Sequence, residues 1–177
     1  MTGGMLYKII GICLIIGATS AGGISAADKI RNQYEQLRYL KKLILLLRGE
    51  IQYARSYLGE AFRQIGCSVR TPYKEWLLAM CEEMEGRNGG TFAQIWEEKG
   101  REYLRDCGLP KEVLERLLWF GNELGIADAG MQVKTLDLWL EEITLSMEEM
   151  RERMRTRIRL CHCLGIMSGI FITILLL

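Results

Sequence analysis

The strongest constraint on this 177-residue chain is a pair of apolar runs, one at each end, each bordered on its inner side by basic residues. Met5 to Ala27 is 23 residues with one charge, Lys8, and Leu160 to Leu177 is 18 residues with none. At a helical rise of ~1.5 Å per residue the first is long enough to cross a hydrocarbon layer of ~30 Å, and the second stands at the short end of what suffices. Transmembrane helices are therefore expected at 5–27 and 160–177, with residues 28–159 between them.

The formal charge is only +1, but it is segregated. Residues 28–59 carry a net +4, residues 60–150 hold ten basic and eighteen acidic groups for a net −8, and residues 151–159 return to +4. Lys29, Arg31, Arg38, Lys41 and Lys42 follow the first run, and Arg151, Arg153, Arg155, Arg157 and Arg159 precede the second. Basic flanks are retained on the cytosolic side, so both termini are expected outside and the acidic centre in the cytosol. The arginine run reads as a headgroup anchor, at ~1 kcal/mol per basic residue near anionic lipid. It is short and lacks interleaved aromatics, so nucleic acid is not an expected partner. The rival reading of the first run is a cleaved signal peptide, because Ser25-Ala26-Ala27 has the small residues of a cleavage site. Gly11, Ala18, Gly22 and Ser25, and the pair Gly165 and Gly169, would let membrane helices approach closely and self-associate; they equally match the ordinary glycine content of such helices.

The central 132 residues suffice for one domain with its own core. Their apolar period is helical throughout, and six helices are expected: an all-α, bundle-like cytosolic domain. The first runs from about Asp28 to Ser56, with Ile30, Tyr34, Leu37, Leu40, Ile44, Leu47 and Ile51 on one stripe. A short second helix turns Leu58, Ala61, Phe62 and Ile65 inward and stops at Gly66. Thr71-Pro72 reads as cap and first turn of a third, with Trp76, Leu77, Met80 and Met84 buried. Thr91 with Gln94 matches a capping box that opens the fourth, with Ile95, Trp96 and Tyr103 apolar. Pro110 opens the fifth, which buries Val113, Leu117, Leu118 and Leu124 and ends at Gly125. Asp128 is the candidate cap of the sixth. Its seam of Leu136, Leu140, Ile143, Met147, Met150, Met154 and Ile158 alternates steps of four and three and continues into the second membrane run.

Chemistry is sparse. Six cysteines are scattered, with no disulfide framework, and a cytosolic domain would keep them reduced. Cys161-His162-Cys163 has the wrong spacing for a zinc site, and consecutive helical residues diverge by ~100°. His162 is the sole histidine, so triad and general-base schemes have little to work with. There is no GxxxxGK[ST] and no GxGxxG after a strand. Adjacent carboxylates such as Glu82/Glu83, Glu97/Glu98 and Glu141/Glu142 diverge on a helix and read as a solvated face. The expectation is a protein that is not an enzyme and has no cofactor or metal.

The stretch Leu118-Trp-Phe-Gly-Asn-Glu-Leu-Gly-Ile-Ala-Asp128, then Gln132, a Leu/Met seam, an arginine-rich flank and Leu164-Gly-Ile-Met-Ser-Gly169, resembles the stage III sporulation protein AB family. The resemblance covers nearly the whole chain, and its most specific piece is Gly121, Leu124, Gly125, Asp128 and Gln132. It implies a protein of endospore-forming bacteria in the mother-cell membrane around the forespore. Its soluble domain would be similar to the cytoplasmic domain of the type II secretion F-type platform protein. A sporulation ATPase and other membrane proteins of the same operon are its expected partners, in a mother-cell-to-forespore channel. The F-type platform carries two such domains where this chain has one, so any duplicated symmetry would need a homo-oligomer. Gly121 and Gly125 are expected to permit close helix approach, Asp128 to cap the next helix and Gln132 to bond across the junction; partner contact is the alternative role. The leading expectation is a non-enzymatic membrane platform or adaptor, and the alternative is a self-oligomerising scaffold that does not touch the ATPase.

Overall fold

The computed structural model describes residues 28–54, 57–86, 90–125 and 128–176, with side chains described as far as 156 apart from 54 and 155. Among the described residues there are six α-helices and no strand. They are α1 (28–49), closed by a π-helical turn at Glu50–Ala54, α2 (Leu58–Ser68), α3 (Tyr73–Glu85), α4 (Phe92–Leu104), α5 (Lys111–Leu124) and α6 (Ala129–Leu176). The chain divides into two compact units, a body of Gln33–Glu148 and the two ends, Met1–Asn32 with Glu149–Leu177. Among the described residues no helix is long and apolar enough to cross a membrane. The run at 5–27 lies outside the described residues, and 160–177 lies beyond the described side chains.

The body's core follows the helical period. From α1 it takes Leu37, Leu40, Leu43, Ile44 and Leu47, and from the π turn Ile51. Four aromatic rings fill the centre. Trp76 meets Trp96 edge-on at 4.7 Å between centroids, and Phe62 and Phe92 flank Trp96 at 5.9 and 5.7 Å. Such offset and edge contacts add to what burial alone contributes. On the far side Phe120 of α5 stacks on Trp139 of α6 at 4.6 Å. Arg48 of α1 pairs with Asp137 of α6, and the guanidinium of Arg70 lies 4.1 Å above the ring of Tyr39 while the backbone N–H of Arg70 donates to the Tyr39 hydroxyl. These contacts tie α1 to α6 and to the α2–α3 turn.

Several local expectations are corrected. The first helix does not continue as α-helix to Ser56 but widens into the π turn at Glu50. Gly66 does not stop α2, which runs on to Ser68. It is buried inside the helix, where a Cβ would meet Leu78 Cδ2 at 3.1 Å and Leu77 Cβ at 3.4 Å, so glycine there lets α2 and α3 close up. Thr71 does not cap α3; Pro72 occupies the cap position with no side-chain bond, and its carbonyl accepts from the Trp76 N–H. In α5 the inward residue is Leu114 rather than Val113, and Phe120 is buried as well. Met84 and Tyr103 are half-buried.

The capping box of α4 is complete. Gln94 N–H donates to Thr91 Oγ1 at 3.3 Å and Thr91 N–H to Gln94 Oε1 at 2.9 Å. Asp128 Oδ1 accepts from Met131 N–H at 2.8 Å at the start of α6. Thr91→Ala and Asp128→Ala are each expected to cost about 1 kcal/mol in urea denaturation, and Asn at 128 to restore most of the loss.

Candidate interaction surface

The residues Gly121, Leu124, Gly125, Asp128 and Gln132 come together at the junction of α5 and α6. Each has a packing or capping reason to be there. A Cβ on Gly121 would lie 2.4 Å from Cδ1 and 2.9 Å from Cβ of Trp96, so α5 can approach α4 only without a side chain at that point. The same indole donates from Nε1 to the Leu117 carbonyl at 2.7 Å, one turn before Gly121, so a single side chain both packs on the glycine and bonds the backbone beside it. A Cβ on Gly125 would lie 2.8 Å from Phe92 Cδ1. Gly125 keeps an ordinary right-handed backbone with φ −73°, so close approach, and not a left-handed turn, is what requires glycine there. Leu124 is fully buried, and its carbonyl accepts from Gln132 Nε2 at 2.9 Å, closing the corner between the two helices.

What the corner presents to solvent is a different set of side chains. With Leu117, Leu118, Phe120 and Gly121 turned inward, the helical period turns Trp119 outward, and it is 62% exposed. It lines a shallow groove of about 520 Å³ with Glu97, Arg101, Glu115, Arg116, Leu118 and Asn122. Arg101 bridges α4 and α5 with a two-pronged hold on Glu115 at 2.9 and 2.8 Å, and its Nε reaches Glu97 at 3.1 Å. The guanidinium hydrogen bonds hold the Glu115 carboxyl below the usual carboxylate range. Arg116 pairs with Glu142 of α6 on the other side. The groove thus offers an exposed tryptophan framed by fixed charges of both signs, and Trp and Arg are residue types that carry much of the binding energy where protein surfaces dock. Sequence reasoning passed over Trp119 and took its neighbours; the signal available was a large apolar residue on the polar side of an otherwise regular stripe.

Lys29 and Arg31 on α1, and Arg151 and Arg153 on α6, are exposed, and Arg153 reaches Glu149 at 3.6 Å. Arg155, Arg157, Arg159, Gly165, Gly169 and Cys161-His162-Cys163 lie where side chains are not described. Among the described residues no group of three or more His, Cys, Asp or Glu is placed to hold a metal ion.

A family profile described as stage III sporulation protein AB matches residues 8–177. The chain belongs to this family. Stage III sporulation protein AB of Bacillus subtilis (strain 168) is 24% identical to it over 172 residues, which are 97% of this chain and 100% of the relative. A solved structure of stage III sporulation protein AB is similar to it with a TM-score of 0.61 and 24% identity, covering 70% of this chain and 97% of that one. At that identity the structural likeness shows the fold alone. Membership of the stage III sporulation protein AB family gives the chain a role in sporulation. The α5–α6 corner that carried the resemblance in sequence is thus, in this member of the family, a built corner of the fold with an exposed tryptophan beside it.

Proposed function

We propose that the protein is a non-enzymatic platform or adaptor of a mother-cell-to-forespore export apparatus. It is held in the mother-cell membrane by its two ends, and its helical body engages a sporulation ATPase on the cytosolic side. The observation that carries the reading is the family match over 8–177. Two further features support it. The charge pattern brackets an acidic body, net −8 over 60–150, between basic flanks. The Trp119 groove supplies a face of the kind a protein partner uses. In this reading the body, which the family resemblance likens to the F-type platform of type II secretion, couples contact with the ATPase to its membrane partners.

The test is co-purification of the ATPase with the full-length chain from detergent extract. It should be captured by the full chain and lost when residues 28–159 are deleted; failure of capture under every salt condition tried would contradict the reading. Trp119→Ala is expected to weaken capture by about 2 kcal/mol, roughly thirtyfold, because a central tryptophan is a typical hot spot. The same change should alter unfolding stability by no more than about 0.5 kcal/mol, since the ring is largely solvated.

A further inference from the structure

The outer face of α6 carries two exposed leucines among its charges. Leu138 and Leu145 are 61% and 58% exposed. Seven residues apart, they share one face, roughly opposite the buried Leu136, Trp139, Leu140 and Ile143. Glu141 and Glu148 rim this pair, are exposed, and make no ion pair among the described residues. Next to α6 runs α1, whose outer face has the opposite sign. Arg38 and Lys42 are exposed there, with Leu45 49% exposed at the next turn. Lys42 has no acidic partner among the described residues, and Arg38 has only a long contact of 3.4 Å to Glu35.

The two faces are also in step. Arg48–Asp137 fixes one level, and the outer ends of α1 and α6 both fall in the unit formed by the chain's ends, so within the body the helices run antiparallel. From Arg48 to Arg38 is ~15 Å along α1, and from Asp137 to Glu148 is ~16 Å along α6. Arg38 and Glu148 therefore stand at one level, Lys42 (~9 Å from the Arg48 level) stands between Glu141 (~6 Å) and Leu145 (~12 Å), and Leu45 (~4.5 Å) stands between Leu138 and Glu141.

We propose that these two faces form one self-complementary dimer surface, on which the acid-rimmed leucines of α6 receive the basic face of α1 from a second copy. A two-fold axis running along the helices keeps every level in place and sets Arg38 against the second copy's Glu148 and Lys42 beside its Glu141, with Leu45, Leu138 and Leu145 closing the centre. The interface is isologous, so each contact occurs twice. The complement of the stripe lies on the same molecule, at matching heights, and this selects a second copy over a foreign helix as its occupant. The proposal stands independently of the ATPase reading.

Mass measurement by light scattering on the full-length chain in mild detergent tests it, using two charge-reversed variants, Arg38→Glu/Lys42→Glu and Glu141→Lys/Glu148→Lys. The unaltered chain should be dimeric. Each variant alone should dissociate at least about tenfold more readily, because like charges then face each other. The two variants mixed should pair with each other, since both reversed contacts become attractive. All four positions are exposed, so unchanged circular dichroism is expected throughout. A single-copy mass at the highest attainable concentration, a dimer indifferent to either reversal, or no pairing in the mixture would each overturn the proposal. So would a Glu141→Lys/Glu148→Lys variant that loses a basic foreign partner while its own mass stays unchanged.

Discussion

Gly121→Ala should destabilise the body by about 2 kcal/mol, although alanine is the better helix former. The new methyl would sit 2.4 and 2.5 Å from Cδ1 and Cγ of Trp96 and 2.9 Å from its Cβ. The last of these moves only with the α4 backbone, so a rotamer change cannot relieve the clash. Overpacking of a tight core costs ~1–3 kcal/mol. If the indole is pushed off the Leu117 carbonyl, a further ~1 kcal/mol is lost with the hydrogen bond. Against this, replacing a mid-helix glycine returns up to ~1 kcal/mol. Gly49→Ala supplies the control with the opposite sign. Gly49 is within α1 and nothing lies within 4 Å of where its Cβ would be, so alanine there should add about 0.5–1 kcal/mol. Urea denaturation of the two variants beside the unaltered chain measures both. Equal and small effects at the two sites would mean that α4 and α5 are not pressed together as described.

A second large effect is expected at alkaline pH. Tyr73, the first residue of α3, is fully buried against α1, with its ring 5.2 Å from that of Tyr39. Burial pushes its phenol well above the ordinary value of 10, with the neighbouring Cys107 adding to the push. The folded state therefore holds this proton while the unfolded chain releases it. Stability from the buried neutral ring is fully present below pH 10 and is lost as pH rises beyond it, at about 1.4 kcal/mol per pH unit for one group. Tyr73→Phe should remove this dependence. The loss of stability between pH 10 and 11.5 should then be shallower by about one proton's worth than in the unaltered chain. Parallel curves would show that Tyr73 is open to solvent. The phenol's contact with Gln36 Oε1 is long, at 3.4 Å, and its other hydrogen-bonding neighbour is the weak thiol of Cys107, so only about 1 kcal/mol is lost at neutral pH when the hydroxyl is removed.

How much of this was readable in the sequence depended on how far apart the partners lie. The Thr91–Gln94 box and the Asp128 cap are closed within four residues, so residue type and spacing were enough. The buried stripes of α1 and α6 were legible for the same reason, a period that repeats along one helix. The glycines divide on this point. Gly66 looks like a helix stop on local grounds and is instead a contact for Leu77 and Leu78 of α3. Gly121 and Gly125 were expected at a close helix approach, but the side chains nearest them, Trp96 and Phe92, belong to another helix and no spacing announces them. The Pro72 cap position and the π turn at Glu50 are tertiary outcomes of the same kind, whereas the exposure of Trp119 follows from the helical period of α5. The Arg101–Glu115 bridge spans fourteen residues between two helices and shows in sequence only as ordinary surface charge.

An adaptor that meets a cytosolic ATPase must hold its body on the cytosolic side of the bilayer, and one cysteine reports on that directly. Cys67 is exposed at the end of α2, whereas Cys81 is buried and Cys107 is half-buried. A membrane-impermeant maleimide, with the peptide carrying Cys67 read by mass spectrometry, should leave Cys67 unmodified in intact mother cells and modify it fully in inside-out membrane vesicles. Rapid modification in intact cells would put the acidic body on the wrong side of the membrane for a cytosolic ATPase and would contradict the adaptor reading.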